Sequence, residues 1–157
     1  VPKETKVLPV FTKYMLQSAD GFEEGLKLYR EAAMKAPEAK QKIAFKEVLV
    51  VEQMQNMLRS TVAIVQFEDL RFQLKGENEL SNEEKRKIVE RMKEILSEEI
   101  PRTKSALRIS SLDSRLGYES EMDYVYTPFV IEQKLGVLRD VEEKQIPAYL
   151  SGLEKED

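Results

Sequence analysis

Cysteine and histidine are both absent from these 157 residues, and the two absences close off much chemistry. Without cysteine there is no disulfide framework, thiolate zinc site, iron–sulfur cluster or cysteine nucleophile. That absence does not identify a compartment. Without histidine, a Ser-His-Asp triad, a His-Cys pair and a histidine general base are all impossible within the chain. Ferritin-like di-iron bundles place a Glu-x-x-His motif on two helices, so a helical bundle lacking histidine is not one of those. Carboxylate, lysine, tyrosine and serine chemistry stay open.

Charge of one sign is also missing. The net charge of −4 comes from 25 basic and 29 acidic residues that are well mixed. No long basic block supplies the electrostatic footprint for nucleic acid. No apolar run approaches the roughly 20 residues that span a bilayer, and no signal-peptide core is present. The chain begins at Val1 and not at methionine, which suggests an excised segment or a processed product. A chain of this length can bury roughly 68–70% of its unfolded surface, enough for one domain with its own core.

What is present is helical patterning. Residues 1–19 read as a lead-in segment or linker: Pro2 and Pro9 discourage a regular start, and at most a short helix over about 10–18 fits. Asp20 with Glu23 reads as an N-cap and capping box. The helix that follows sets Phe22, Leu26, Tyr29 and Ala33 on one face and stops at Ala36-Pro37. Residues 37–74 carry the longest helical signal, with Ala44, Val48, Val51, Leu58, Val62, Val65 and Phe72 on one stripe. Ile43, Val50, Met54, Met57 and Ile64 widen it, as expected of a central helix touching several neighbours. One ridge stays polar (Glu52, Gln55, Asn56, Arg59 and Gln66), either solvated or facing a ligand or another domain.

Gly76-Glu77-Asn78 breaks the chain, and Ser81 with Glu84 opens a third helix. Its stripe is Ile88, Met92, Ile95 and Leu96, continued by Leu107, Ile109 and Leu112. Pro101 should kink or split it. Glu83–Lys87 and Glu98–Arg102 read as solvated surface pairs. Thr127-Pro128 starts the last long helix, with Ile131, Leu135, Leu138 and Val141 facing inward. It should run to about residue 146, where Pro147 bends or ends it, and a last turn leads into a polar tail at 151–157. There is no internal repeat and no sustained coiled-coil heptad. The expected fold is all-α: a mostly antiparallel bundle of four to five helices over 20–150, with one irregular loop at about 113–126.

That loop concentrates unusual residues. Asp113-Ser114-Arg115-Leu116-Gly117-Tyr118-Glu119-Ser120-Glu121-Met122-Asp123-Tyr124 holds a turn glycine, two tyrosines, an arginine and four carboxylates, and loops carry function more often than helix cores do. An EF-hand pattern fails, because Arg115 and Gly117 occupy ligand positions and no glutamate stands at position twelve. A carboxylate pair for glycoside hydrolysis could be drawn from these acids, but their spacing does not require one. Tyrosines interleaved with acids and an arginine suit a sugar contact, through aromatic faces and carboxylate acceptors. Equally, Tyr118, Tyr124 and Tyr126 could pin the loop onto the bundle while Arg115 bridges Asp113 or a helix C-terminus.

The segment from Asp113 to Glu119, followed by Tyr126-Thr127-Pro128 and a helix, resembles the C-terminal helical region of large bacterial glycoside-hydrolase-like proteins with an α-glucuronidase-like layout. The stretch from Phe22 to Ala32 and Leu58-Arg59-Ser60 fit the same region. The chain departs from it at Pro101, where the family's helix is unbroken. The resemblance implies extracytoplasmic carbohydrate processing by a parent protein, with catalytic residues in a barrel and none here.

The expected function is therefore a non-catalytic accessory domain that packs on a catalytic barrel of the same parent chain and rims its site. Asp113, Arg115, Tyr118, Glu119 and Tyr124 are the candidate contacts for a ligand or neighbouring domain. A glycan is a candidate partner, nucleic acid and membrane are not, and no metal or cofactor is expected. The alternative is a free-standing interaction or dimerisation module, with helix 37–74 as a homodimer seam or a groove for a partner helix.

Overall fold

The computed structural model describes residues 7–76, 80–119 and 124–155. Its long elements are α1 (Val7–Lys35), α2 (Glu38–Lys75), α3 (Asn82–Leu112), α4 (Pro128–Asp140) and α5 (Ile146–Leu153). A 3-10 turn, Ser114–Leu116, and a two-residue antiparallel ladder, Tyr118–Glu119 with Tyr124–Val125, join α3 to α4. The fold is an all-α bundle.

Cross-helix contacts fix the directions. Arg30 meets Glu52 while Ala19 meets Gln55, so α1 and α2 run antiparallel. Ser60 meets Glu99 while Glu52 meets Arg108, so α2 and α3 do too. Two apolar clusters lie along α2. Leu26, Ala33 and Val48 join α1 to its first half. Val89, Met92, Leu96 and Ile146 gather its second half, α3 and α5. Each fully buried side chain of that size contributes roughly 1.5–3 kcal/mol.

The start of the chain departs from expectation. α1 runs unbroken from Val7 through residue 20, so Asp20 is no cap and no boundary falls at 19/20 within the helix. Burial explains this: Thr12 and Ala19 are buried against the bundle, and Asp20 and Glu23 reach across to Arg59 at 2.8 and 2.9 Å. Pro9 is tolerated because first-turn N–H groups have no helical partner to lose. Leu26 and Ala33 are buried as expected, but Tyr29 is exposed.

α2 buries Val48 and Val62 against its neighbours, whereas Ile43, Met54, Met57, Ile64 and Phe72 stay exposed. Its extra apolar width faces outward. Most of the polar ridge is half-buried and bonded to neighbouring helices, while Arg59 and Gln66 line a small second pocket. Glu52 binds Arg30, Ser105 and Arg108, Gln55 binds the Ala19 carbonyl and Glu23, and Asn56 binds Ser105. The ridge zips α2 to α1 and α3.

α3 opens on the expected capping box. The Ser81 hydroxyl accepts from the Glu84 N–H, and the Glu84 carboxylate accepts from the Ser81 N–H at 2.9 Å. Ser81→Ala should lower stability by about 1 kcal/mol, read as a shift of the urea midpoint at constant slope. The helix is not split at Pro101. α4 begins at Thr127-Pro128 as expected, with Ile131 and Leu135 buried. Past Asp140 the chain winds through a π turn, Val141–Gln145, before α5. The turn hands Pro147 to the first positions of α5, where its missing N–H costs little. α5 continues to Leu153, which is buried, so 151–153 is not frayed tail. Among the described residues of the 113–126 connection, a 3-10 turn and a two-residue ladder are the regular structure present.

Candidate functional site

Asp113 and Arg115 form the ordered base of the 113–126 connection. α3 ends at Leu112, and the Asp113 N–H closes it by donating to the Ile109 carbonyl. The buried Asp113 carboxylate then caps the 3-10 turn, accepting from the Arg115 N–H at 3.1 Å. The Arg115 side chain doubles back onto it, with Nε donating to Oδ1 at 3.0 Å and Nη2 to Oδ2 at 2.7 Å. Nη2 also lies 3.5 Å from Glu47 on α2. Asp113 therefore orients Arg115, as expected, and Arg115 ties the loop to α2.

The Arg115 hydrogen bonds hold the Asp113 carboxyl at about 2, against the opposing effect of burial. A depressed carboxylate stabilises the fold above its ordinary value near 4, and that stabilisation is lost as pH falls towards about 2. Carboxyl carbon NMR should find the Asp113 midpoint near 2, rising towards about 4 in Arg115→Ala.

Gly117 fits a close approach. Its carbonyl accepts from the Tyr126 N–H at 2.7 Å, and a Cβ there would stand 3.4 Å from Thr127 Cα and from the Tyr126 carbonyl oxygen. For Tyr118, Glu119 and Tyr124 the description stops at the backbone ladder, and Glu121 and Asp123 lie outside the described residues. The structure thus joins two of the five expected site residues, Asp113 and Arg115. Among the described residues no group of three or more Asp or Glu side chains is placed to hold a metal ion, and no helix is long and apolar enough to cross a membrane.

A sizeable concavity lies elsewhere, and sequence reading did not find it. α2 forms one wall, the α4–π–α5 arm the other, and α3 the floor of a cleft of about 760 Å³. The floor is Val89, Met92, Ile95 and Leu96. Ile64, Phe67 and Leu74 line one wall, and Val137, Leu138, Val141 and Ile146 the other. At the rims Ile64 and Val137 are 53% and 63% exposed, so apolar surface continues out of the mouth. A cleft of this size and lining falls within the range of small-molecule sites.

One end of the cleft is polar. Glu99, on α3 and only 2% exposed, is surrounded by cations and hydroxyls. Lys134 Nζ on α4 donates to Glu99 Oε1 and to the Ser60 hydroxyl, both at 2.6 Å. Ser60 on α2 donates in turn to Glu99 Oε1, and Arg102 pairs with Oε2. Burial pushes the Glu99 carboxyl up, but the Lys134 and Ser60 hydrogen bonds, the Lys134 charge and the Arg102 hydrogen bond outweigh it, and the net direction is down. The cluster locks three helices at one level. It also shows that Arg102 serves the interior: Glu98, the partner expected for it, stands 3.8 Å away at the surface. The missed signal is phase. Glu99 follows Met92 by seven residues and Ile95 by four, on the core stripe itself.

No protein-family model, curated protein or solved structure matches the chain.

Proposed function

We propose that this chain is a non-catalytic binding module that holds an apolar guest in the cleft above α3. The observation that carries the reading is the cleft itself: about 760 Å³, lined mainly by apolar side chains of α2, α3 and the α4–π–α5 arm. The mutual pairing of its reactive side chains supports a binding role over a catalytic one. Lys134, Glu99 and Ser60, the reactive types at its polar end, are bonded to one another. A general base or nucleophile must instead reach a substrate atom.

The test is fluorescence titration with N-phenyl-1-naphthylamine, an uncharged apolar probe, against the intact chain. Saturable enhancement is expected, weakened at least about tenfold in an Ile64→Glu, Val137→Glu variant that puts two charges at the mouth. Both positions are exposed, so the variant should keep its helical circular dichroism. An intact chain that gives no enhancement, or a variant that binds equally well, contradicts the reading.

A second reading is the accessory domain of a larger, extracytoplasmic carbohydrate-processing protein, its loop facing a barrel of the parent chain. Arg115 favours it: the guanidinium is fixed by Asp113 yet its side chain is 58% exposed beside the tyrosine-bearing ladder. Glycan binding or turnover by the intact protein should drop in an Arg115→Ala, Tyr118→Ala variant. Unchanged values remove the loop from any ligand role.

A further inference from the structure

We infer that the guest of the cleft is a single-chain amphiphile with one anionic head, its tail along the α3 floor and its head on Lys134. The inference rests on the binding reading above and adds the class of ligand.

Charge is distributed unevenly along the cleft. Its apolar floor runs from Val89 to Leu96 and ends at Glu99, a rise of about 15 Å along the helix. At that end Lys134 lines the cleft and pairs with the buried carboxylate of Glu99, whose other oxygen is held by Arg102 from outside the cleft lining. Glu98 approaches Arg102 only from the surface side, at 3.8 Å with its side chain 73% exposed. An ammonium group has three protons to donate, and the hydrogen bonds to Ser60 and Glu99 use two. The third remains on a side chain that lines the cleft and is 21% exposed. Of the other charges along the cleft, Glu68 and Arg71 are paired with each other, and Lys75 stands with Leu74 beyond them on α2, away from the Glu99 end.

An apolar trough that ends on a partly exposed lysine ammonium complements an alkyl tail carrying a negative head. A cationic amphiphile would set like charge against that ammonium. A neutral one would leave the third Lys134 proton without a charged acceptor.

Calorimetric titration below the micellar concentration tests this with dodecanoate, dodecanol and dodecyltrimethylammonium. Dodecanoate should bind about tenfold tighter than dodecanol, the worth of one charge-assisted hydrogen bond, and the cation should bind weakest. From octanoate to decanoate to dodecanoate, affinity should rise about fourfold per methylene. Lys134→Arg should keep the preference for the anion. A Glu99→Gln, Lys134→Gln variant, which removes both charges together and so limits the risk to folding, should lose it while still binding the naphthylamine probe.

Equal affinity for the three head groups, with the uncharged probe still bound, overturns this inference and leaves the binding reading standing. Loss of probe and dodecanoate together overturns both. Binding to phosphatidylglycerol vesicles in place of free dodecanoate, or a dimer that dodecanoate does not dissociate, also overturns it, by naming a membrane or a second copy as the occupant.

Discussion

Lys134→Met is expected to lower the unfolding free energy by about 3 kcal/mol, at the low end of the range for breaking a buried ion pair. The loss stays at that end because Arg102 and Ser60 still hold the Glu99 carboxylate. Nearly all of it is the cost of leaving a buried charge short of a partner, not the worth of the pair itself. A Glu99→Leu, Lys134→Met double variant should therefore recover most of the stability, since replacing both partners with apolar groups is often neutral. Urea unfolding at pH 7 measures the cycle, with unchanged slope confirming that only stability moved.

The pH dependence follows the same pair. Because the folded Glu99 carboxyl is held below its ordinary value, its stabilisation is present above that value and is lost as pH falls through the folded one. Removing Lys134 should move the onset of acid unfolding to higher pH. An additive double variant, or an onset that does not move, would contradict the role given to the pair.

Gln53→Met should act in the opposite direction and raise stability by about 2 kcal/mol. Gln53 is 2% exposed, and neither its amide nitrogen nor its amide oxygen has a hydrogen-bond partner among the described residues. An unsatisfied buried amide costs about 1–3 kcal/mol, and an apolar side chain of similar length removes that penalty. The thermal midpoint should rise by several degrees for a domain of this size. A fall in the midpoint would show that the amide is in fact satisfied, for example by an ordered water.

Local chemistry was the legible part of the sequence. The Ser81–Glu84 box and the Thr127-Pro128 start both depend on neighbours in the chain, and both stand where the residues place them. The Asp113–Arg115 pair is likewise two residues apart and was readable. Boundaries that depend on distant burial were not. Asp20 has the chemistry of a cap, but Thr12 and Ala19 pack into the bundle and carry the helix past it.

The cleft shows the larger gap. Its walls belong to helices far apart in the chain, so no local period reveals it. On α2 the apolar stripe read from the sequence contains Val48 and Val62. The seam towards α3, through Asn56 and Ser60, is polar and looks like surface when read alone. Glu99 was passed over for the same reason: an acid among acids on α3, buried only because α2 and α4 converge on it.

The account stands or falls on whether the space above α3 accepts a guest, and methyl-resolved NMR of the intact chain with N-phenyl-1-naphthylamine asks this directly. The expected result is saturable shifts at Ile95, Leu96, Val137 and Leu138, with Leu26 and Val48 between α1 and α2 unmoved. Shifts centred instead on the exposed Leu28 and Ile43, or none at saturating probe, would contradict it.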